Sequence, residues 1–361
     1  MGPEGATLLV LGLLGFFILI GVPLAIGTFA TAIIAGLTLF GFNSVLLIAN
    51  RIYDASTNYV LIAVPLFILM GVLMEKGGIA RQLFRVLHIW SARLPGGMAV
   101  GCVFAGAIMA AMVGIVGAEI ITLGLVALPA MLARGYDKQL TLGVICASGS
   151  LGAMIPPSLV LVFFGLIAGE SIAQLFAAAL IPGLVMALGY ATYIVARASL
   201  RPELAPPPLP EEVGMPLAEK LALARNLVLP ALIILGVLGS IYFGIAAPTE
   251  AAAIGVAGAL LAVVASGSFR LRDLNDAILQ TGRAVGPVLW VFFGANSLIS
   301  IYSLSGGVRY LAGLIESVPL PPLGVLLLIV GILFLLGMVM DWIGIAILTM
   351  PVFLPVVEAL G

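Results

Sequence analysis

The sequence predicts an all-α, polytopic membrane protein made of two inverted repeats that contain re-entrant hairpins and broken helices. Three observations predict this fold: the composition, a helix-breaking motif inside an apolar segment, and motifs that recur at a nearly constant offset. Hydrophobic residues make up 63% of the 361 residues and charged residues only 9%, and the mean hydropathy is +1.29. No soluble domain of this length stays in solution with such a composition. At about 20 residues per crossing, the apolar segments predict about ten crossings or re-entrant arms.

The same composition excludes several classes of function. A net charge of −1 gives no reason to expect a nucleic-acid partner. Cys102 and Cys146 lie in apolar segments, which argues against a disulfide framework or a metal site. No catalytic combination of Ser, His or Cys with an acid is visible, so neither an enzyme nor a cofactor is expected. The apolar segment from Leu8 to Ile20 follows Glu4 rather than basic residues, so it is interpreted as a first span and not as a cleavable signal peptide.

One linker divides the chain into two repeats. The linker is recognised by the sequence PPPLP and by mixed charges in an otherwise apolar chain. The first repeat covers residues 1–198, and the second covers residues 226–361 and is expected to be incomplete at its C-terminus. The predicted order is scaffold helices 1–75, an interfacial helix 76–95, a hairpin 97–133, a broken helix 139–168, a span 172–198, a cytoplasmic linker 199–225 and the second repeat.

Two segments are amphipathic. In residues 76–95, apolar side chains recur at helical spacing opposite Arg81 and Arg85, which is typical of a helix lying flat in the membrane interface. His88, the only histidine, is interpreted as an interfacial residue rather than as a ligand. Residues 269–283 mix apolar and charged residues in the same way and predict a second interfacial helix.

The broken helix is predicted from the stretch SGSLGAMIPPSLVLVFFG, residues 148–165. Proline lacks a backbone N–H and clashes with the preceding turn, so Pro156 and Pro157 together should end the helix. Within lipid, each unpaired backbone group costs roughly several kcal/mol, so such a break is expected to line a cavity or to hold an ion. The alternative is a simple proline kink that neighbouring helices repair.

Three pairs of motifs relate the two halves of the chain. They are Gly77-Gly78 with Gly306-Gly307, Pro129 with Pro355, and Pro23 with Pro248, at offsets of 229, 226 and 225 residues. If residues 76–95 face the cytoplasm, and 97–117 and 118–133 form a hairpin that returns to the side it entered from, only Arg51 and Arg309 of the 15 Lys and Arg residues lie outside. This distribution follows the positive-inside rule. It also places matching motifs on opposite faces, so the repeats are predicted to be inverted and the N-terminus to be periplasmic.

Glu119 and Asp341 are the acids most deeply embedded in apolar sequence. A carboxylate at this depth usually faces a cavity, an ion or a basic partner, and no Lys or Arg lies in the same segments. A bound sodium ion is therefore expected at both, although a proton would also satisfy a lone acid, and each acid could instead lie near the interface. The expected ion- and substrate-binding residues are Gly114, Gly117, Glu119, Ser148, Gly149, Ser150, Gly152, Pro156, Pro157, Ser158, Met340 and Asp341.

Several motifs, in this order, resemble those of the large membrane subunit of tripartite ATP-independent periplasmic (TRAP) transporters. They are AVPLFILMGVLMEKGGIARQL (63–83), ALPAMLARGYD (127–137), SGSLGAMIPPS (148–158), APTEAAAIG (247–255) and GMVMDWIGIAILTMPVFLPV (337–356). The resemblance covers nearly the whole chain. Within the family, GIVGAE and MDWIGIAILTMP are most similar to the branch labelled mannitol/chloroaromatic transport.

The resemblance implies an elevator mechanism, in which a transport domain slides against a scaffold and carries an organic acid together with sodium across the bacterial inner membrane. It implies two partners, a periplasmic binding protein that delivers the substrate and a small four-helix membrane subunit. By position, Glu119 and Asp341 match the acids of the two hairpins, and residues 148–158 match the first broken helix. The hairpin tip departs from the serine-rich family pattern, because Met112, Val113 and Ile115 provide no hydroxyl group.

Comparison of the repeats predicts a missing segment. After Pro129 the first half continues through a broken helix and a further span, whereas only six residues follow Pro355. The second broken helix is therefore expected to be absent from this chain. Two other functions stay open at this point: a stand-alone ion-coupled carrier of organic anions, and a membrane assembly component that transports nothing.

Overall fold

The fold is α-helical, as the composition predicts. The computed structural model describes residues 1–114, 117–265, 270–317, 321–338, 340 and 342–360. No β-strand occurs within these ranges. The prediction of an all-α polytopic membrane protein is therefore confirmed.

Short turns, many of them at glycine or proline, separate the helices. Those before the proline break are α1 (Pro3–Leu19), α2 (Leu24–Phe40), α3 (Asn43–Ser56), α4 (Ala63–Lys76), α5 (Ile79–Ser91), α6 (Gly97–Val113), α7 (Ala118–Ala133) and α8 (Lys138–Ser150). Those after it are α9 (Leu159–Ala168), α10 (Ile172–Leu200), α11 (Pro210–Gly214), α12 (Leu217–Tyr242), α13 (Pro248–Ala265), α14 (Leu271–Leu304), α15 (Gly307–Glu316), α16 (Pro322–Gly337) and α17 (Trp342–Leu360).

Four helical segments of the described chain are long and apolar enough to cross a membrane: Tyr59–Lys76, Ile172–Leu200, Pro248–Ala265 and Leu271–Leu304. A fifth is obtained if α12, which bends by 51° near residue 226, is taken as one span. Six further apolar helices of the described chain, α1, α2, α6, α7, α9 and α16, have only 10–17 residues. At 1.5 Å per residue these are shorter than the roughly 30 Å hydrocarbon layer, as expected where helices are interrupted or re-entrant.

The amphipathic segment 76–95 forms α5, and its apolar face packs mainly against α6. The prediction of a separate interfacial helix over 269–283 is wrong. From Leu271 the chain runs as one 34-residue helix, α14, to Leu304. Nothing between Leu271 and Arg283 ends a helix, so the charged turns and the apolar turns share one axis.

Two glycines take the same conformation before the amphipathic helices α5 and α15. Gly78 has φ 73° and ψ 15°, and Gly306 has φ 77° and ψ 3°. A side chain is disfavoured in this left-handed region, which explains glycine at both positions. The structural correspondence is therefore between Gly78 and Gly306, one residue away from the sequence pairing. The inverted orientation of the two repeats remains a prediction.

By packing, the chain forms two compact units that do not coincide with its two halves. One consists of residues 1–61, 163–170 and 283–361, and the other of residues 62–162 and 171–282. The first unit has a core of side chains from α1, α2, α14, α16 and α17, including Leu14, Ile301 and Val356. In the second unit α4 packs on α13, α5 on α6, and α8 on both α6 and α7. The predicted domain limits are not tested by this division.

Candidate functional site

Glycines lie at the C-terminal end of α6 and at the N-terminal end of α7. α6 ends at Gly114, which has φ 62°, and α7 follows Gly117, which has φ 104°. The Gly114 N–H donates to the carbonyl of Ala110 at 3.1 Å, and the carbonyl of Gly117 accepts from the N–H of Ile121 at 3.0 Å. Both glycines thus lie at helix ends, as the hairpin prediction requires. Ile115 and Val116, between them, lie outside the described residues.

The predicted helix break is present at the two prolines. α8 ends at Ser150, a single 3-10 turn covers Leu151–Ala153, and α9 begins at Leu159. The peptide bond between Pro156 and Pro157 is cis. The Ser158 hydroxyl donates to the carbonyl of Ala153 at 2.8 Å. The helix is therefore interrupted between Ser150 and Leu159.

The break and the hairpin turn meet. The N–H of Leu159 donates to the carbonyl of Gly114 at 3.3 Å. A Cβ atom on Gly114 would lie 2.6 Å from the carbonyl oxygen of Pro157. No side chain fits at that distance, so the two backbones touch because residue 114 is glycine.

Glu119, in the first turn of α7, points at the same break. The residue is fully buried, and a Cβ atom on Gly152 would lie 2.7 Å from its Cδ. Neither carboxylate oxygen has a hydrogen-bond partner among the described residues. The N–H of Gly114 is near the carboxyl group but donates to the Ala110 carbonyl instead. The carboxyl group is thus enclosed and has no hydrogen-bond partner in the part of the chain that the structure describes.

Close helix contacts position this acid. A Cβ atom on Gly149 would lie 3.0 Å from the backbone N of Ile120, and one on Gly106 would lie 2.8 Å from the carbonyl oxygen of Ser148. Gly149 of α8 therefore lets α8 approach α7 at backbone distance, and Gly106 of α6 does the same between α6 and α8. Such contacts are typical of membrane helices with small residues at the interface.

The predicted serines line the same stretch, but their hydroxyl hydrogens are already used. Ser148 donates to the carbonyl of Val144 and Ser150 to that of Ala147. Each hydroxyl oxygen keeps lone pairs that can accept a hydrogen bond or ligate a cation. Carboxylate, hydroxyl and carbonyl oxygens are the ligand types that hard cations favour. The arrangement can therefore hold a small cation or a proton, and it offers no activated nucleophile.

Ten of the twelve predicted residues lie in the second unit, at this hairpin and break. Met340 follows α16, and its N–H donates to the carbonyl of Leu336 at 2.8 Å. It belongs to the first unit. Asp341 lies outside the described residues, so its predicted role remains a prediction.

Sequence reasoning missed a second acid on α4. The Thr122 hydroxyl, one turn after Glu119 on α7, donates to Oε1 of Glu75 at 3.0 Å. Glu75 directly precedes Lys76 and two glycines, so the sequence placed it at a helix end. Glu250, by contrast, is embedded in apolar sequence but is exposed, and it accepts from the N–H of Ala247 at 2.9 Å. Its role in the structure is to cap α13.

A second polar cluster ties the linker to the hairpin. Glu212, on α11, accepts from Nε2 of His88 at 2.8 Å and also from the guanidinium of Arg134. Burial alone would raise the pKa of the Glu212 carboxyl, but the hydrogen bonds from Arg134 and His88 outweigh it and lower the pKa. This carboxylate therefore stays ionised and joins α5, α7 and α11.

Comparison with known proteins places the chain in one family. Residues 7–361 match the sequence profile of the tripartite ATP-independent periplasmic transporter, DctM component. The C4-dicarboxylate TRAP transporter large permease protein DctM of Pseudomonas aeruginosa is 31% identical over 326 residues, which are 90% of this chain and 74% of that protein.

Two further relatives match almost the whole chain. The ectoine/5-hydroxyectoine TRAP transporter large permease protein UehC of Ruegeria pomeroyi is 31% identical over 98% of this chain and 81% of its own length. The isethionate TRAP transporter permease protein DctMQ of Oleidesulfovibrio alaskensis is 28% identical over 97% of this chain and 54% of its own length. With its interrupted helices, its buried acid and these matches, the chain belongs to the large permease family of TRAP transporters.

Proposed function

We propose that this chain is the permease subunit of a sodium-coupled importer of small organic acids, and that Glu119 helps to hold the coupling ion. The observation that carries the proposal is the Glu119 carboxyl group, which is fully buried and has no hydrogen-bond partner among the described residues. An ionised carboxyl group in such surroundings is destabilised by roughly several kcal/mol. A bound cation removes that penalty, and the family supplies the context of transport.

Sodium is proposed because the nearby ligand types are oxygens. Glu119 would provide a carboxylate, and Ser148, Ser150 and Ser158 would add hydroxyl oxygens or backbone carbonyls. Since the hairpin tip has no hydroxyl side chain at Met112, Val113 or Ile115, backbone carbonyls would replace the serines that are usual in the family. Asp341 is proposed to take the equivalent role in the second repeat, with an elevator movement carrying both sites.

The substrate is proposed to be a small carboxylate. One relative is named for C4-dicarboxylates, another for ectoine and a third for isethionate. The three relatives are named for different substrates, although their sequence identities to this chain are similar. Sequence identity therefore does not select one of these substrates. Membership of the mannitol/chloroaromatic branch is proposed from the motifs GIVGAE and MDWIGIAILTMP alone.

The partners are proposed to be a periplasmic binding protein and a small four-helix membrane subunit in the bacterial inner membrane, with the N-terminus in the periplasm. Support comes from the relatives named as large permeases and from the one named DctMQ. A stand-alone carrier would need no binding protein. An uptake assay with and without that protein therefore distinguishes the two functions.

The test is uptake of labelled organic acids into proteoliposomes that contain this chain with its small subunit and the cognate binding protein. Uptake is expected with an inward sodium gradient and is expected to stop when potassium replaces sodium. Uptake driven by a pH gradient alone would identify the coupling ion as a proton. Uptake without the binding protein would favour the stand-alone carrier, and no uptake of any acid would favour the assembly component.

Glu119→Gln tests the residue itself, because it removes the charge and keeps the shape. Sodium-driven uptake is expected to fall about a hundredfold, since a lost contact to a charged group of ~3 kcal/mol equals two powers of ten. Glu250→Gln is the matched control, because Glu250 is an exposed cap. Unchanged uptake by Glu119→Gln would remove this residue from the ion site.

A further inference from the structure

A cleft outside the candidate ion site combines positive charge with an apolar wall. It has a volume of about 830 Å³ and is formed by α5, α7 and α11, with Met98 of α6. All of these helices belong to the second unit. Neither Glu119 nor the helix break lines it, so the cleft is a separate feature.

The positive charge comes from two arginines of α5. Arg81 and Arg85 are spaced by one helical turn, both are exposed, and both line the cleft. No carboxylate of the described chain lies within 4.0 Å of either guanidinium, whereas Arg134 in the same cleft is paired with Glu212. The remaining acid in the lining is the exposed Glu211. Two guanidinium groups therefore line the cleft without a carboxylate partner among the residues that the structure describes.

The apolar wall comes from α7. Leu125 is 75% exposed, and Val126, Ala130 and Ala133 follow along the helix in the same lining. A single exposed leucine is ordinary, but an apolar wall opposite unpaired arginines is suited to a ligand with an anionic head and a hydrocarbon tail. A soluble anion would leave the wall in water, and a zwitterionic lipid would leave the net charge of the arginines unmatched.

We propose that this cleft binds an anionic glycerophospholipid, with its phosphate at Arg81 and Arg85 and an acyl chain along Leu125, Val126 and Ala130. The predicted orientation puts α5 at the cytoplasmic side, where anionic headgroups attract basic residues. The bound lipid would lie next to the Glu212 contact that holds α11. It would therefore link the hairpin and the linker to the inner leaflet.

Native mass spectrometry of the purified full chain tests the proposal, with phosphatidylglycerol and phosphatidylcholine added in parallel. Retention of phosphatidylglycerol is expected. Affinity should fall at least about tenfold in Arg81→Ala/Arg85→Ala, because both guanidinium groups that attract the anionic phosphate are removed. Arg93→Ala is the matched control, since Arg93 is exposed but does not line the cleft. Equal binding of both lipids, or an unchanged affinity in the double variant, would overturn the proposal.

A second arm separates a lipid from a soluble phosphate. Leu125→Gln changes an exposed wall residue without changing charge, and it is expected to weaken phosphatidylglycerol binding severalfold. Glycerol 3-phosphate is expected not to displace the lipid at equal concentration. If it does, or if Leu125→Gln binds the lipid as well as the unmodified chain does, the cleft is a soluble-anion site and the lipid assignment is wrong. Size-exclusion profiles establish that the variants are folded.

Discussion

At the scale of single residues, the position of the Glu119 carboxyl group requires glycine at position 152. The carboxyl group occupies the space that any side chain at position 152 would need, because a Cβ atom there would lie 2.7 Å from Cδ. A buried acid without a hydrogen-bond partner is tolerated only if the site is completed by another species or neutralised. Glycine at 152 is therefore part of the site although it supplies no functional group.

Gly152→Ala is expected to displace the Glu119 carboxyl group and to lower uptake at least about tenfold, as small misplacements at a site often do. Gly143→Ala is a matched control on α8, where a Cβ atom would meet nothing within 4 Å. That control is expected to raise helix stability by about 0.5–1 kcal/mol. Uptake assays and thermal unfolding of both variants provide the measurement. Equal behaviour of the two variants would contradict the contact.

At the scale of elements, one carboxylate connects helix α11 of the linker to two other helices. Glu212 of α11 joins His88 of α5 and Arg134 at the end of α7, and its Oε2 also accepts from the N–H of Leu209 at 3.3 Å. Helix α11 has only five residues, too few to be stable by itself. The position of α11 therefore depends on this tertiary contact.

The lowered pKa of Glu212 gives the contact a pH dependence with a definite sign. Because the folded pKa lies below the ordinary value of 4.5, the stabilisation is fully present above that value. It is lost as the pH falls through the lowered pKa. Glu212→Gln should therefore unfold a few degrees below the unmodified chain at neutral pH, for a loss of roughly 1 kcal/mol.

The difference in unfolding temperature between Glu212→Gln and the unmodified chain should disappear in acid, where Glu212 is protonated. Thermal unfolding of both proteins from neutral pH to below pH 4.5 is the measurement, with Glu211→Gln as the control on the same helix. A difference that persists unchanged in acid, or an equal effect of Glu211→Gln, would show that the Glu212 charge does not hold the linker.

At the scale of the whole molecule, the two compact units each take segments from both halves of the chain. Neither half can complete a unit from its own residues. A compact unit of this chain therefore does not correspond to one continuous segment of sequence.

The orientation of the chain in the membrane can be tested at two exposed positions, one near the N-terminus and one in the linker. With Cys102 and Cys146 replaced by Ala, Glu4→Cys is expected to react with a membrane-impermeant maleimide in intact spheroplasts. Glu219→Cys is expected to react only after lysis, because the linker is predicted to be cytoplasmic. Both positions are exposed, so accessibility depends on the side of the membrane. Labelling of Glu219→Cys in intact spheroplasts would show that the orientation is the reverse of the predicted one.

The sequence by itself determined the helical fold, the break at Pro156 and Pro157, and the hairpin turn at Gly114 and Gly117. These features depend on apolar composition and on residues whose backbone preferences are local. The sequence also singled out Glu119, since a lone acid in an apolar segment is visible without a structure. It erred at 269–283, because amphipathic composition does not show where a helix ends.

Only the tertiary structure decided which groups meet. It brought Glu119 against Gly152 and Thr122 against Glu75, and it revealed Glu250 as an exposed cap. It also joined Glu212 to His88, which lies 124 residues away. These contacts depend on how the helices pack, and many sequences with the same apolar pattern could pack differently. Backbone preferences of single residues act within one helix, whereas the candidate site is formed by residues from several segments that pack together.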